Sequence, residues 1–159
     1  MDMEKMLIHG VNLDVMTNQP VVILKDSDQK KFLPIWIGQF EATSILMELQ
    51  GVKPARPLTH DLLKSMLDLL SLKVVKIIIN DIVDGTFYAQ IYLNKGDKDY
   101  SVDARPSDAI ALAVRADVPI FATENVVKKA SIISEEGEDD VVEQFKDFLE
   151  SVNPEDFTE

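Results

Sequence analysis

An α+β fold, built on a curved mixed β-sheet with packed helices, is predicted by three features of this sequence. Runs rich in β-branched residues alternate with polar turns of hairpin length, twice in succession. Each group of such runs is followed by segments whose apolar residues recur at helical spacing. The pattern also repeats after 67 residues, which lays Glu41-Ala42 on Asp108-Ala109, Leu24 on Ile91 and Leu33 on Tyr100 with both hairpin turns in step. A duplicated three-strand, two-helix unit is the expectation, with chance periodicity as the competing explanation.

Val11–Met16 reads as a first strand and Pro20–Lys25 as a second. Asp26-Ser27-Asp28-Gln29 is a polar turn, and Lys31–Ile37 returns as a third strand that Gly38 ends. From Gln39 to Gln50, the apolar residues Phe40, Ile45, Leu46 and Leu49 fall on one helical face. The stretch from Gly51 to Pro57 holds two prolines and cannot be regular helix. Thr59 is a suitable N-cap, and Leu62, Leu63, Met66, Leu67 and Leu70 form the apolar stripe of the helix it opens. Lys73–Ile82 and Thr86–Leu93 are then strands, Asn94-Lys95-Gly96-Asp97 is a hairpin turn, and Tyr100–Arg105 is the returning strand. Pro106-Ser107-Asp108 starts a helix that runs to Arg115. A short extended piece, Pro119–Ala122, precedes a short helix, Glu124–Ala130.

The chain has 159 residues, 46% of them hydrophobic and 28% charged, enough apolar material for an ordinary core. Its formal charge of −12 is unevenly placed. Residues 135–159 hold eleven acids and one base, a charge of −10, so residues 1–134 carry only −2. The expected organisation is a folded body over 1–134 and an acidic C-terminal segment over 135–159. In that segment Val141, Val142, Phe145, Phe148, Leu149 and Val152 recur at helical spacing. This predicts an amphipathic helix over 139–152 docked on the body or on a neighbouring subunit, with a free partner-binding tail as the alternative. No run approaches the ~18 apolar residues of a membrane span, and Met1–Met16 is broken by charges, so a cytoplasmic location without membrane association is expected. The absence of cysteine excludes disulfides, thiolate metal sites and cysteine nucleophiles. No strongly basic face suits tight, non-specific nucleic-acid binding.

Familiar catalytic signatures, including Gly-rich phosphate loops, Gly-x-Ser-x-Gly and His-Glu-x-x-His, are missing. Of two histidines, His9 lies near the N-terminus in an apolar-flanked stretch that suits a structural or surface role. His60 sits at a helix start beside Asp61, where it could act as a general acid or base, or face water next to ordinary capping residues. Asp103-Ala104-Arg105-Pro106-Ser107-Asp108 is the densest polar cluster outside the tail. Asp103 and Arg105 share one strand face. Carboxylates at Asp103 and Asp108 could hold a divalent cation, and Arg105 could clamp a phosphate or carboxylate. An Asp103–Arg105 ion pair with capping by Ser107 and Asp108 is the alternative. Glu41, matched to Asp108 by the repeat, keeps a carboxylate at both helix starts.

Four blocks occur together in order: Leu33-Pro34-Ile35-Trp36-Ile37-Gly38 followed by Glu41-Ala42; Arg56-Pro57-Leu58-Thr59-His60-Asp61-Leu62-Leu63; Gly85-Thr86-Phe87-Tyr88-Ala89; and Asp103 through Ala113. In these blocks the chain closely resembles the bifunctional nuclease family, over about residues 5–130. The resemblance implies hydrolysis of phosphodiester bonds in DNA and RNA with little sequence preference. It brings no mechanism with it.

That chemistry needs neutralisation of the phosphate, an activated water and a protonated leaving oxygen. His60 could supply acid or base, and Arg56 and Arg105 the phosphate contacts. Asp103, Asp108 and Glu41 would ligate a metal such as magnesium or manganese, or orient the histidine. Weak, metal-bridged binding of single-stranded DNA or RNA is expected with so neutral a body. A different reading is a non-catalytic, structural or regulatory module that forms a homo-oligomer. The all-apolar run Ile77–Ile79 favours it, since burial on both faces is often achieved by association.

Overall fold

The computed structural model describes residues 2–133, and two antiparallel meanders supply most of its sheet. The first consists of β1 (Met3–Asp14), β2 (Gln19–Asp26) and β3 (Lys31–Trp36), and leads into the helices α1 (Gln39–Leu49) and α2 (Thr59–Leu69). The second consists of β4 (Lys73–Val83), β5 (Thr86–Lys95) and β6 (Lys98–Ala104), and leads into α3 (Pro106–Ala116). Gln19 and Thr86, Lys31 and Lys98, and Gln39 and Pro106 each begin corresponding elements, always 67 residues apart. The period read from the sequence is therefore carried by the chain path. β7 (Ile120–Thr123), α4 (Glu124–Ala130) and β8 (Ile132–Ile133) complete the described residues.

The strands join in one open sheet, in the order β6-β5-β4-β7-β1-β2-β3-β8. β7 enters between the two meanders, parallel to β4 through Ile77–Ile120 and antiparallel to β1 through Met6–Ile120. That insertion makes the sheet mixed and gives the α+β class predicted. Pro34 is accommodated in β3 because β8 pairs only with Lys31 and Phe32, so the proline stands where no neighbour needs its missing N–H.

The main core gathers Val22, Leu24, Leu33 and Ile35 from the first meander and Ile77, Ile79, Ala89 and Ile91 from the second under the helices. Alternate residues Val21, Ile23, Phe32 and Trp36 form a smaller buried cluster, as strand periodicity demands. α3 is the central helix: Ala109 to Ala113 are all buried, and its alanines let α1, α2 and the sheet approach closely. Ile77, Ile78 and Ile79 are all buried within the one chain, so this run does not require a second subunit.

Several local expectations are corrected. β1 starts at Met3, well before Val11, because pairing with β7 extends it. Phe40 is 89% exposed, and the inward face of α1 is Ala42, Ser44 and Ile45. Leu58, not Thr59, is the N-cap of α2; its backbone N–H donates to the Asp61 carboxylate at 3.0 Å. Arg105, not Ser107, caps α3, with Pro106 at the first helical position. His9 keeps a structural role, edge-on to Phe32 with ring centroids 5.4 Å apart. The expected helix over 139–152 lies outside the described residues. Among those described, no helix is long and apolar enough to cross a membrane.

Candidate active site

The first turns of α2 and α3 and the inner face of α1 bring a polar chain together. His60, the second residue of α2, is the one buried residue of that helix. Its Nε2 lies 2.8 Å from Asp108 Oδ1, and its Nδ1 lies 2.6 Å from the Ser44 hydroxyl. Asp108 is the third residue of α3. Its second oxygen accepts from Arg105 Nε at 2.9 Å, and Arg105 Nη2 donates to Glu41 Oε1 at 2.8 Å. The order is therefore Ser44–His60–Asp108–Arg105–Glu41, spanning three helices.

The charge on Asp108 sets one proton position on His60. The His60 hydrogen bond, helped by Arg105, holds the Asp108 carboxyl below the usual carboxylate range, against partial burial that pushes it up. An ionised Asp108 can only accept, so Nε2 of His60 carries a proton. In the neutral imidazole Nδ1 is then the acceptor, and the Ser44 hydroxyl donates to it. The N-terminal ends of α1 and α3 favour the carboxylates of Glu41 and Asp108 in their first turns.

Arg115 holds the frame. This nearly buried guanidinium, in the last turn of α3, donates to Asp61 Oδ1 at 2.8 Å and to the carbonyls of Ala111 and Ser44. It thus ties the residue after His60 to the backbone of Ser44. Its hydrogen bond, followed by that from Leu58 N–H, keeps the Asp61 carboxyl below the usual range.

Ser44, His60, Arg105, Asp108, Glu41 and Thr59 line a cavity of 450 Å³. A larger cavity of 720 Å³ shares Thr59, His60, Arg105 and Asp108, and is otherwise walled mainly by apolar side chains of α2, β5 and β6.

His60, Arg105, Asp108 and Glu41, all singled out in the sequence, are therefore brought together. Asp103 is not part of the bonded chain; it stands exposed on β6 opposite Gln90 and borders the larger cavity. Arg56 lines a separate cavity with Asp61 and Arg115, away from the His60 ring. The metal set Glu41, Asp103 and Asp108 is not assembled. Among the described residues no three His, Asp or Glu side chains are grouped to hold a metal ion. The Arg105 guanidinium occupies the place between Glu41 and Asp108 where a cation would sit, so the donor set does not fit magnesium or manganese. Ser44 and Arg115 were missed. A polar residue on the otherwise apolar inner face of α1 was the signal available for Ser44.

Residues 22–135 match the family model of the bifunctional nuclease domain. An uncharacterized protein of Mycobacterium tuberculosis is 42% identical, with 98% of each chain covered. Proteins named bifunctional nuclease 2 from Oryza sativa subsp. japonica and Arabidopsis thaliana are 33% and 34% identical over 70% of this chain. The matched region is 35% of each plant protein's own length.

Proposed function

The chain belongs to the bifunctional nuclease domain family, and from that membership we propose that it hydrolyses phosphodiester bonds in DNA and RNA with little sequence preference. The observation that carries this reading is the convergence of His60, Asp108 and Arg105 on one cavity. His60 is a proton carrier held in one tautomer by Asp108. Arg105 offers a planar cation to a phosphate oxygen, which would take the place of Glu41 at Nη2. The adjoining apolar cavity suits a nucleobase face and presents little pattern with which to read a sequence. With residues 1–134 carrying only −2, long-range attraction for nucleic acid is absent, and weak binding of single strands follows.

The test is degradation of single-stranded DNA and RNA by the purified chain, with and without EDTA, beside an identically purified and folded His60→Ala variant. The variant should lose about 10²–10⁴-fold in rate. Equal rates for wild type and variant would overturn the reading.

One observation favours association as well. The apolar stripe of α2 is uncovered, with Leu62 55% and Met66 52% exposed. We propose that a second copy of the chain covers it, forming a homo-oligomer.

A further inference from the structure

We infer that Ser44 is the nucleophile of this site, attacking phosphorus to form a covalent phosphoseryl intermediate. The inference rests on the nuclease reading and adds to it the identity of the attacking group. A serine in the middle of a helix ordinarily returns its hydroxyl to the carbonyl four residues back. Thr43 does this, donating to Gln39 O at 2.9 Å. Ser44, its neighbour, instead places Oγ 2.6 Å from His60 Nδ1.

Both nitrogens of His60 are engaged, and the residue is only 6% exposed. A water molecule cannot reach either nitrogen without displacing Ser44 or Asp108. The one proton His60 can accept in place is that of the Ser44 hydroxyl. Nucleophile, base and orienting carboxylate are thus in hydrogen-bond reach of one another, which is the arrangement that activates a serine. The two imidazole nitrogens are used in the opposite sense to the familiar triad, with the carboxylate on Nε2 and the hydroxyl on Nδ1. Ser44 also borders the 450 Å³ cavity together with Arg105, so a phosphate held by the guanidinium lies beside the hydroxyl.

The steps balance. Ser44 Oγ bonds to phosphorus as its proton passes to His60 Nδ1. The bond from phosphorus to the leaving ester oxygen, on the side opposite Oγ, breaks, and that oxygen takes a proton from solvent. Water then attacks the same phosphorus from the vacated side and releases its proton to solvent. The bond to Oγ breaks, and Oγ takes back the proton held on His60 Nδ1. The sum is diester plus water giving monoester plus alcohol.

The test treats the purified full chain with an alkyl fluorophosphonate, from which fluoride leaves as Oγ bonds to phosphorus, and maps the adduct by peptide mass spectrometry. An adduct on Ser44 is expected, absent in Ser44→Ala, slowed about 10²-fold or more in His60→Ala, and unchanged in the exposed control Ser65→Ala. Because the chain has no cysteine, Ser44→Cys creates a single thiol. Its reaction with a disulfide reagent at neutral pH should be about tenfold faster than in the Ser44→Cys, His60→Ala double variant. No Ser44 adduct together with equal thiol rates would overturn the inference. So would nuclease activity that survives Ser44→Ala at the wild-type rate, an outcome that leaves the nuclease reading standing. A His60-dependent Ser44 adduct on a chain that degrades no nucleic acid supports the nucleophile and overturns the nuclease reading instead.

Discussion

Glu41 and Asp108 stand at the same place in two helices, each the third residue of its helix and 67 residues apart, and both close on the guanidinium of Arg105. The corresponding cap positions differ: Gly38 in front of α1, Arg105 in front of α3. The Glu41 carboxylate folds back over Gly38, and a β-carbon there would overlap it. The site is thus an asymmetric use of one repeated unit, with the cation supplied by the second copy and a carboxylate by each.

Neutralising Glu41 tests how Arg105 is kept ready. In Glu41→Gln the guanidinium loses one charged partner and gains attraction for an incoming phosphate. Since Arg105 is half exposed, the effect is modest: KM for an oligonucleotide should fall about three- to fivefold with kcat nearly constant. A rise in KM would show that Glu41 assists binding rather than competing with it.

Arg105→Lys keeps the charge and removes the planar fork that reaches Asp108 and Glu41 at once. Stability should change by less than about 1 kcal/mol, because the Arg105 end of both ion pairs is half exposed and lysine keeps the charge. Turnover should drop at least tenfold. Urea denaturation and steady-state rates separate the two effects.

Much of this was legible in the sequence, and the gaps have identifiable causes. The turns Asp26–Gln29 and Asn94–Asp97 punctuate both meanders, so the repeat could be read without tertiary information. His60 and Asp108 declared themselves as polar residues at helix starts, and Arg105 as one at the end of a strand. Ser44 did not, since its partner is reached only when α1 and α2, separated by a loop with two prolines, both pack on α3. The grouping of Glu41, Asp103 and Asp108 as metal ligands counted carboxylates without knowing that Arg105 would lie between two of them. Phe40 and the α2 leucines followed helical periodicity correctly, yet periodicity does not say which apolar residues a single chain covers.

Arg115 should matter for stability more than any residue in the bonded chain. Its side chain is almost fully buried and serves Asp61 and two carbonyls. Arg115→Met retains the packing of the stem but strands those acceptors, at a cost of roughly 3 kcal/mol. Denaturant titration reads this directly. Activity should fall as well, because Ser44 and His60 lose the link that sets their spacing, whereas a loss below 1 kcal/mol would remove Arg115 from that role.

Acid sensitivity follows from Asp61 and Asp108. Both carboxyls are held low in the folded state, chiefly by Arg115 and by His60 respectively. A depressed folded pKa contributes stability that is complete above the unfolded value and lost as pH falls through the folded one. Wild-type stability should therefore hold down to about pH 4 and decline below it. In Asp61→Asn the deficit relative to wild type should be largest near pH 6–7 and shrink below about pH 4. A deficit independent of pH would show that Asp61 acts by packing alone.

The exposed stripe of α2 is where the proposed association can be tested. Leu62 and Met66 lie one helical turn apart on the same side, beside Leu63 and Leu70, and an uncovered apolar stripe of this kind is normally closed by association. A two-fold pairing of α2 with α2 would also enclose the apolar cavity next to His60, so assembly and activity would be coupled. Leu62→Glu combined with Met66→Glu places like charges in that contact while leaving the buried His60 face of the helix untouched. Light scattering after size exclusion should show wild-type oligomers and monomers of the double variant, with little change in the melting of the fold. A wild type that is monomeric at all concentrations would dismiss the second copy. A double variant that stays associated would move the interface elsewhere on the surface.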